Sequence, residues 1–143
     1  MKWIVVGFAL LACAPQSPCS AGGPPPTREW TDDMTFVICS DPVPPHARED
    51  TKFTVIARDK SSGQPIEGAD GRIYAETREG AKTWNALSPG AKPGTYTTTL
   101  NFVVSGNWAM GMQFRRDTTK VNKIEKMDWT QEILSASDTN QVR

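Results

Sequence analysis

Tyr96-Thr97-Thr98-Thr99-Leu100-Asn101-Phe102 and, beyond the turn Ser105-Gly106-Asn107, Trp108-Ala109-Met110-Gly111-Met112-Gln113-Phe114 are the stretch that decides the fold. Successive side chains of a strand point to opposite faces of its sheet. Tyr96, Thr98, Leu100 and Phe102 therefore share one face, with Thr97, Thr99 and Asn101 on the other. In the second run Trp108, Met110, Met112 and Phe114 fall together against Ala109, Gly111, Gln113 and Arg115. One apolar and one polar face is the pattern of a strand with core on one side and water on the other. The short turn between the runs predicts that they pair as a hairpin.

Working outward, Lys52 to Arg58 alternates Phe53, Val55 and Ala57 against Thr54, Ile56 and Arg58, and stops at Lys60-Ser61-Ser62-Gly63. Met34 to Cys39 and Arg72 to Thr77 are two more strand candidates. The strands are short, separated by Gly and Pro turns, and no long helical period lies between them. That combination predicts an all-β chain, an immunoglobulin-like antiparallel β-sandwich. With 143 residues and 38% hydrophobic content, the chain has material for one core. Its formal net charge is +0. Arg115-Arg116 and lysines 120, 123 and 126 are interleaved with Asp117, Glu125 and Asp128, so these charges form a solvated face and offer nothing to nucleic acid.

The start of the chain is an address. Lys2 precedes an apolar run from Trp3 to Leu11, shorter than the roughly 20 residues of a spanning helix and suited to a signal peptide over residues 1–12. Leu10-Leu11-Ala12-Cys13 has the form of a bacterial lipobox, in which Cys13 is lipidated and becomes the first mature residue. Cleavage after Ala21, behind the small residues Cys19-Ser20-Ala21, is the alternative. Either way the protein is expected to be exported: lipid-anchored at the periplasmic face of a membrane in the first case, soluble in the periplasm or secreted in the second. Residues 13–30 are expected to be a flexible tether, because Ala14 to Pro26 is Pro, Ser, Gly and Ala without charge or period. The sandwich domain is then placed at 31–143.

Cysteine chemistry follows the cleavage site. With Cys13 lipidated, Cys19 and Cys39 are left as a pair in an oxidising compartment, where they either form a disulfide or stay as two thiols. With cleavage after Ala21, only Cys39 survives, as a small apolar core residue.

Phe53-Thr54-Val55-Ile56-Ala57-Arg58-Asp59, Gly63-Gln64-Pro65-Ile66-Glu67-Gly68-Ala69, Pro93-Gly94-Thr95-Tyr96, Leu100-Asn101-Phe102 and Gly106-Asn107-Trp108 together resemble the YtkA-like and FixH-like domain. The resemblance covers about residues 51–116. It implies an immunoglobulin-like sandwich on the outer side of a bacterial membrane, and, on the FixH-like side, association with the assembly of copper-containing haem oxidases. The chain departs from FixH-like proteins in having a short signal where they have a spanning helix. It also carries an extra segment after Arg116, in which Val121, Ile124, Met127, Trp129, Ile133 and Leu134 suit either a further strand or a short helix beginning near Asp128.

Copper ligands in periplasmic sandwiches are Met, His and Cys. The candidates here are Met110, Met112, Met34, Cys39 and His46. Met110 and Met112 share a face with Trp108 and Phe114, which favours core packing, and His46 sits alone in the loop Pro44-Pro45-His46. No pair of candidate ligands has the close spacing of a zinc or haem motif. Asp32-Asp33 and Arg48-Glu49-Asp50 are acidic clusters that flank strands, where such residues cap turns. There is no nucleophile elbow, phosphate loop or triad. The sequence therefore predicts no enzyme and no required cofactor. It predicts an exported domain that works by contact with an envelope or membrane protein and binds no nucleic acid, with copper binding or delivery as the alternative.

Overall fold

The computed structural model describes residues 18–19, 25–120 and 124–137. Cys13 and the leader lie outside them. The described residues form nine strands: β1 Thr27–Trp30, β2 Met34–Asp41, β3 Asp50–Asp59, β4 Asp70–Glu76, β5 Lys82–Ala86, β6 Ser88–Pro89, β7 Thr95–Asn101, β8 Gly106–Arg115 and β9 Glu125–Ile133. They assemble into a five-stranded sheet, β1-β2-β3-β7-β6, and a four-stranded sheet, β5-β4-β8-β9, in which every strand pairing is antiparallel. With β1 set aside, β2-β3-β7-β6 facing β5-β4-β8-β9 is the immunoglobulin strand order.

The alternation in the sequence assigns the inner faces. Thr51, Phe53, Val55 and Ala57 of β3 are buried, as are Tyr96, Thr98 and Leu100 of β7 and Trp108, Met110, Met112 and Phe114 of β8. Aromatic rings bridge the sheets. Phe114 is packed edge-on between Phe36 at 4.9 Å and Tyr96 at 5.4 Å. Phe102 meets Phe53 at 6.3 Å and Trp108 at 5.2 Å, also edge-on, the arrangement that the ring quadrupole favours. Trp108 Nε1 donates to Val104 O at 3.0 Å, so its polar atom is satisfied inside the core.

Two sequence expectations change, and one open choice is resolved. The runs around Tyr96–Phe102 and Trp108–Phe114 do not form a hairpin, because β7 belongs to one sheet and β8 to the other. The Phe102–Ser105 connection crosses the sandwich, and the two apolar faces meet across the core instead of lying side by side. Alternation says which side chains share a face and is silent on which strand is the neighbour. Second, the domain begins at Thr27, inside the stretch read as tether, because Thr27–Trp30 pairs with Thr35–Ile38. Four residues are too few to show a period. Third, the choice left open for the final segment resolves as a strand: β9 pairs with β8 over its whole length, Met127 opposite Met112 and Trp129 opposite Met110.

Turn chemistry fixes one end. Asp59 Oδ1 accepts from Ser61 N at 3.1 Å and Ser62 N at 2.8 Å, and from both seryl hydroxyls, while Arg116 Nη1 sits 2.8 Å from Oδ2. Gly94 has φ of +71°, and a Cβ there would fall 2.7 Å from Pro65 Cβ and 2.8 Å from Ala57 O. The Pro93-Gly94 turn thus seats the 59–66 loop against β3, and only glycine fits.

Candidate interaction surface

Each candidate ligand can now be placed. Met34, Met110 and Met112 are core residues, at 2%, 2% and 0% exposure, packed among Phe36, Trp108 and Phe114. Cys39 is bonded to Cys19 with a Cα–Cα distance of 5.5 Å, which ties the segment before β1 to β2. His46 lies in the loop between β2 and β3, where Nδ1 is 2.9 Å from Ser135 O and 3.4 Å from Ser137 Oγ. No methionine is brought to it by the strand pairings, and among the described residues no three His, Cys, Asp or Glu side chains converge on a common point.

The acidic clusters hold loops. Asp33 accepts from Thr31 Oγ1 at 3.1 Å and lies 3.6 Å from Arg116 Nη1. Asp50 accepts from Asn101 Nδ2 at 3.1 Å, and Glu49 accepts from Ser137 N at 3.0 Å. Hydrogen bonds from Ser137 hold the Glu49 carboxyl below its ordinary range, and those from Ser62, Ser61 and Arg116 do the same, more strongly, for Asp59. These are anions fixed by donors, the opposite of a carboxyl tuned to exchange protons near neutral pH. Asp33, Glu67, Arg116, Asp117 and Lys120 also line a cleft of about 540 Å³ beside the Asp59 turn. Both of its cations are already engaged: Arg116 with Asp33 and Asp59, Lys120 with Asp117.

The outward face of the four-stranded sheet is different. The β4–β5 register sets Tyr74 opposite Trp84 and Arg72 opposite Ala86, while the β4–β8 register sets Tyr74 beside Gly111 and Arg72 beside Gln113. Ile73 and Ala75 of β4 point into the core, so Arg72 and Tyr74 necessarily face out. Trp84 is 62% exposed. The Tyr74 ring lies across Gly111: a Cβ at 111 would come within 2.2 to 2.5 Å of Tyr74 Cζ, Oη and Cε2. Glycine on β8 thus provides the seat for the ring. The Arg72 guanidinium stands 5.9 Å from the Tyr74 centroid and 5.7 Å from that of Trp84, a cation held by two ring faces. Its Nε donates to Gln113 Oε1 at 2.8 Å, which fixes the plane of the group and leaves the outer nitrogens for an incoming acceptor.

Beside this cluster runs a groove of about 360 Å³, between Trp84 at the β5 edge and Ile124 at the β8–β9 corner. Ala86 and Leu87 contribute apolar floor, and the Asp70–Arg115 ion pair closes one rim. Gly71 belongs to the floor, where a Cβ would strike Gln113 O. Sequence reasoning missed the surface. Its trace is the polar side of β4, where Tyr74 stands between Arg72 and Glu76, and a tryptophan two residues past Lys82 in a stretch too short to be recognised as a strand.

No family model matches the chain, and no curated protein matches it. Among solved structures, a DUF4426 family protein from Pseudomonas aeruginosa is similar, with a TM-score of 0.58 at 11% identity, over 76% of this chain and 94% of the other. A copper-bound variant of FetP from uropathogenic Escherichia coli is similar at a TM-score of 0.59 and 9% identity, over 85% of this chain and 98% of that one. At such identities the likeness is one of fold.

Proposed function

We propose that the chain is an exported, lipid-anchored immunoglobulin-like domain that works by contact with another protein of the bacterial envelope, and that the outer face of β5-β4-β8-β9 makes that contact. The Trp84–Arg72–Tyr74 cluster carries the proposal. Tryptophan, tyrosine and arginine are the residues that dominate binding energy at protein interfaces. Here all three stand together on one sheet face, next to an apolar groove. A partner that inserts an apolar side chain beside Trp84 and sets a carboxylate on Arg72 would use every feature of the surface. The signal segment, the lipobox at Cys13 and the Pro-rich stretch support an anchored domain held off the bilayer. The resemblance to YtkA-like and FixH-like domains supports a respiratory oxidase, or a protein assembling one, as the partner.

A photo-crosslinking amino acid at Trp84 tests the surface in cells, with Lys52, exposed on the opposite sheet, as the control position. A discrete adduct with one envelope protein is expected from position 84, lost when Arg72 is changed to Ala, and absent from position 52. Adducts from both positions, or from 84 regardless of Arg72, would sink the proposal.

The likeness to copper-bound FetP favours a second reading, copper handling. It would draw on Met110, Met112 and His46, two of which the fold packs inside the core. Metal content of the purified protein after exposure to Cu(I) separates the two: the contact reading expects no stoichiometric copper. If copper does bind, its loss on replacing Met110 and Met112 with Leu, fold intact, would establish the second reading.

A further inference from the structure

We propose that the exposed edge of β9 is a homodimerisation strand, which pairs antiparallel with the β9 of a second copy about a two-fold axis through Trp129. β9 is the outer strand of the four-stranded sheet, hydrogen-bonded to β8 on one side and, among the described residues, to no strand on the other; the Pro45–Ala47 loop bonds the backbone of Leu134, so the open edge ends at Ile133. It is nine residues long and uninterrupted by proline or glycine. A free edge of that length is a template for another strand. What singles out a second copy as the occupant is the order of the residues.

Glu125-Lys126-Met127-Asp128-Trp129-Thr130-Gln131-Glu132-Ile133 has Trp129 at its midpoint. Full overlap with a copy of itself therefore sets Trp129 opposite Trp129 and, by symmetry, Lys126 opposite Glu132 twice. Asp128 then faces Thr130, and Met127 faces Gln131, so no like charges are opposed. Sliding the axis by one residue destroys this: centred on Asp128 the aspartates oppose each other, and centred on Thr130 each Asp128 meets a Glu132. Lys126 and Glu132 are both exposed, and their neighbours on the β8 side are the uncharged Gln113 and Asn107. Neither forms an ion pair among the described residues, so both charges are available across the edge. Trp129 packs against the core yet stays partly open at this rim, where its own symmetry mate would cover it.

The test is sedimentation velocity of the purified chain over a concentration series. A monomer–dimer equilibrium is expected. Because the axis doubles every contact, Lys126→Glu or Glu132→Lys alone should weaken dimerisation by about tenfold or more, and the double exchange should restore it. Both positions are exposed, and circular dichroism of each variant confirms an unchanged fold. A protein that stays monomeric at its highest soluble concentration would overturn the proposal. So would a dimer indifferent to the single reversals, or one that the double exchange fails to restore, since association would then use another surface or register.

Discussion

At the scale of single residues, three tryptophans show how position in a sheet decides what a side chain is worth. Trp108 is fully buried, ring-on-edge to Phe102, with its indole N–H bonded to Val104 O. Trp108→Ala should cost about 3 to 5 kcal/mol, a large share of the stability of a domain of this size. Trp30 and Trp84 are 67% and 62% exposed, and replacing either with Ala should change stability by less than about 1 kcal/mol. Urea unfolding followed by circular dichroism checks all three. If Trp108→Ala and Trp30→Ala shifted the midpoint equally, the inner and outer faces of β8 would have to be exchanged. Trp84→Ala is the informative one for function, because it should leave the fold intact while weakening the contact with the partner protein.

At the scale of elements, the outermost strands are secured by means that differ from the alternation of the central ones. β1 is four residues long, and the disulfide from Cys19 to Cys39 closes a loop of sequence separation 20 around it. On the chain-entropy account such a loop contributes about 3 kcal/mol by restricting the unfolded chain. Reduction, or Cys39→Ser, should lower the unfolding free energy by about that amount and leave the circular dichroism of the folded state unchanged. An equal urea midpoint with and without reductant would show that β1 needs no crosslink. β5 is secured across the sandwich, where Asn85 Nδ2 donates to Thr99 O of β7 at 3.1 Å. Its alternate side chains, Lys82, Trp84 and Ala86, are thereby left to face out.

At the scale of the whole molecule, anchoring and acid stability belong to the chain as a unit. Cys13→Ser should abolish acyl labelling and release the protein from membranes, because acyl chains supply the membrane affinity of an anchored domain. Membrane association unchanged in that variant would point to cleavage after Ala21. Asp59 links the turn after β3 to Arg116 beyond β8, and its donors depress its pKa in the folded state. A carboxyl with a depressed folded pKa contributes stability that is fully present above its unfolded value of about 3.9 and is lost as pH falls toward the folded value. Asp117, held by Thr119, and Glu49, held by Ser137, act in the same direction. Glu29 runs the other way: burial, then the nearby Asp128, raises its pKa, so its penalty at neutral pH is relieved by acid. Stability should therefore be level from neutral pH to about 5 and fall below about 4, with a shallower acid limb in Asp59→Asn. Urea midpoints at pH 7 and pH 3 measure the difference, and an unchanged limb would assign acid sensitivity to other carboxylates.

Phe53, Val55, Leu100, Trp108 and Phe114 are enough to specify a sandwich from sequence, because a strand with an apolar face has to bury it and period two identifies that face without reference to any other strand. The glycines and prolines mark where the strands stop. Partners are a different matter. That β7 and β8 lie in opposite sheets depends on where four residues, Phe102 to Ser105, carry the chain, and local alternation is the same for either outcome. Nor does any local pattern bring Arg72, Tyr74 and Trp84 together over Gly111, since that contact exists only once β4 has found both β5 and β8 in one register. The sequence determined which side chains turn inward, through a two-residue repeat that each strand carries alone; the surface and the edge where this protein can be met were decided by tertiary pairing, because they are made of residues from different strands.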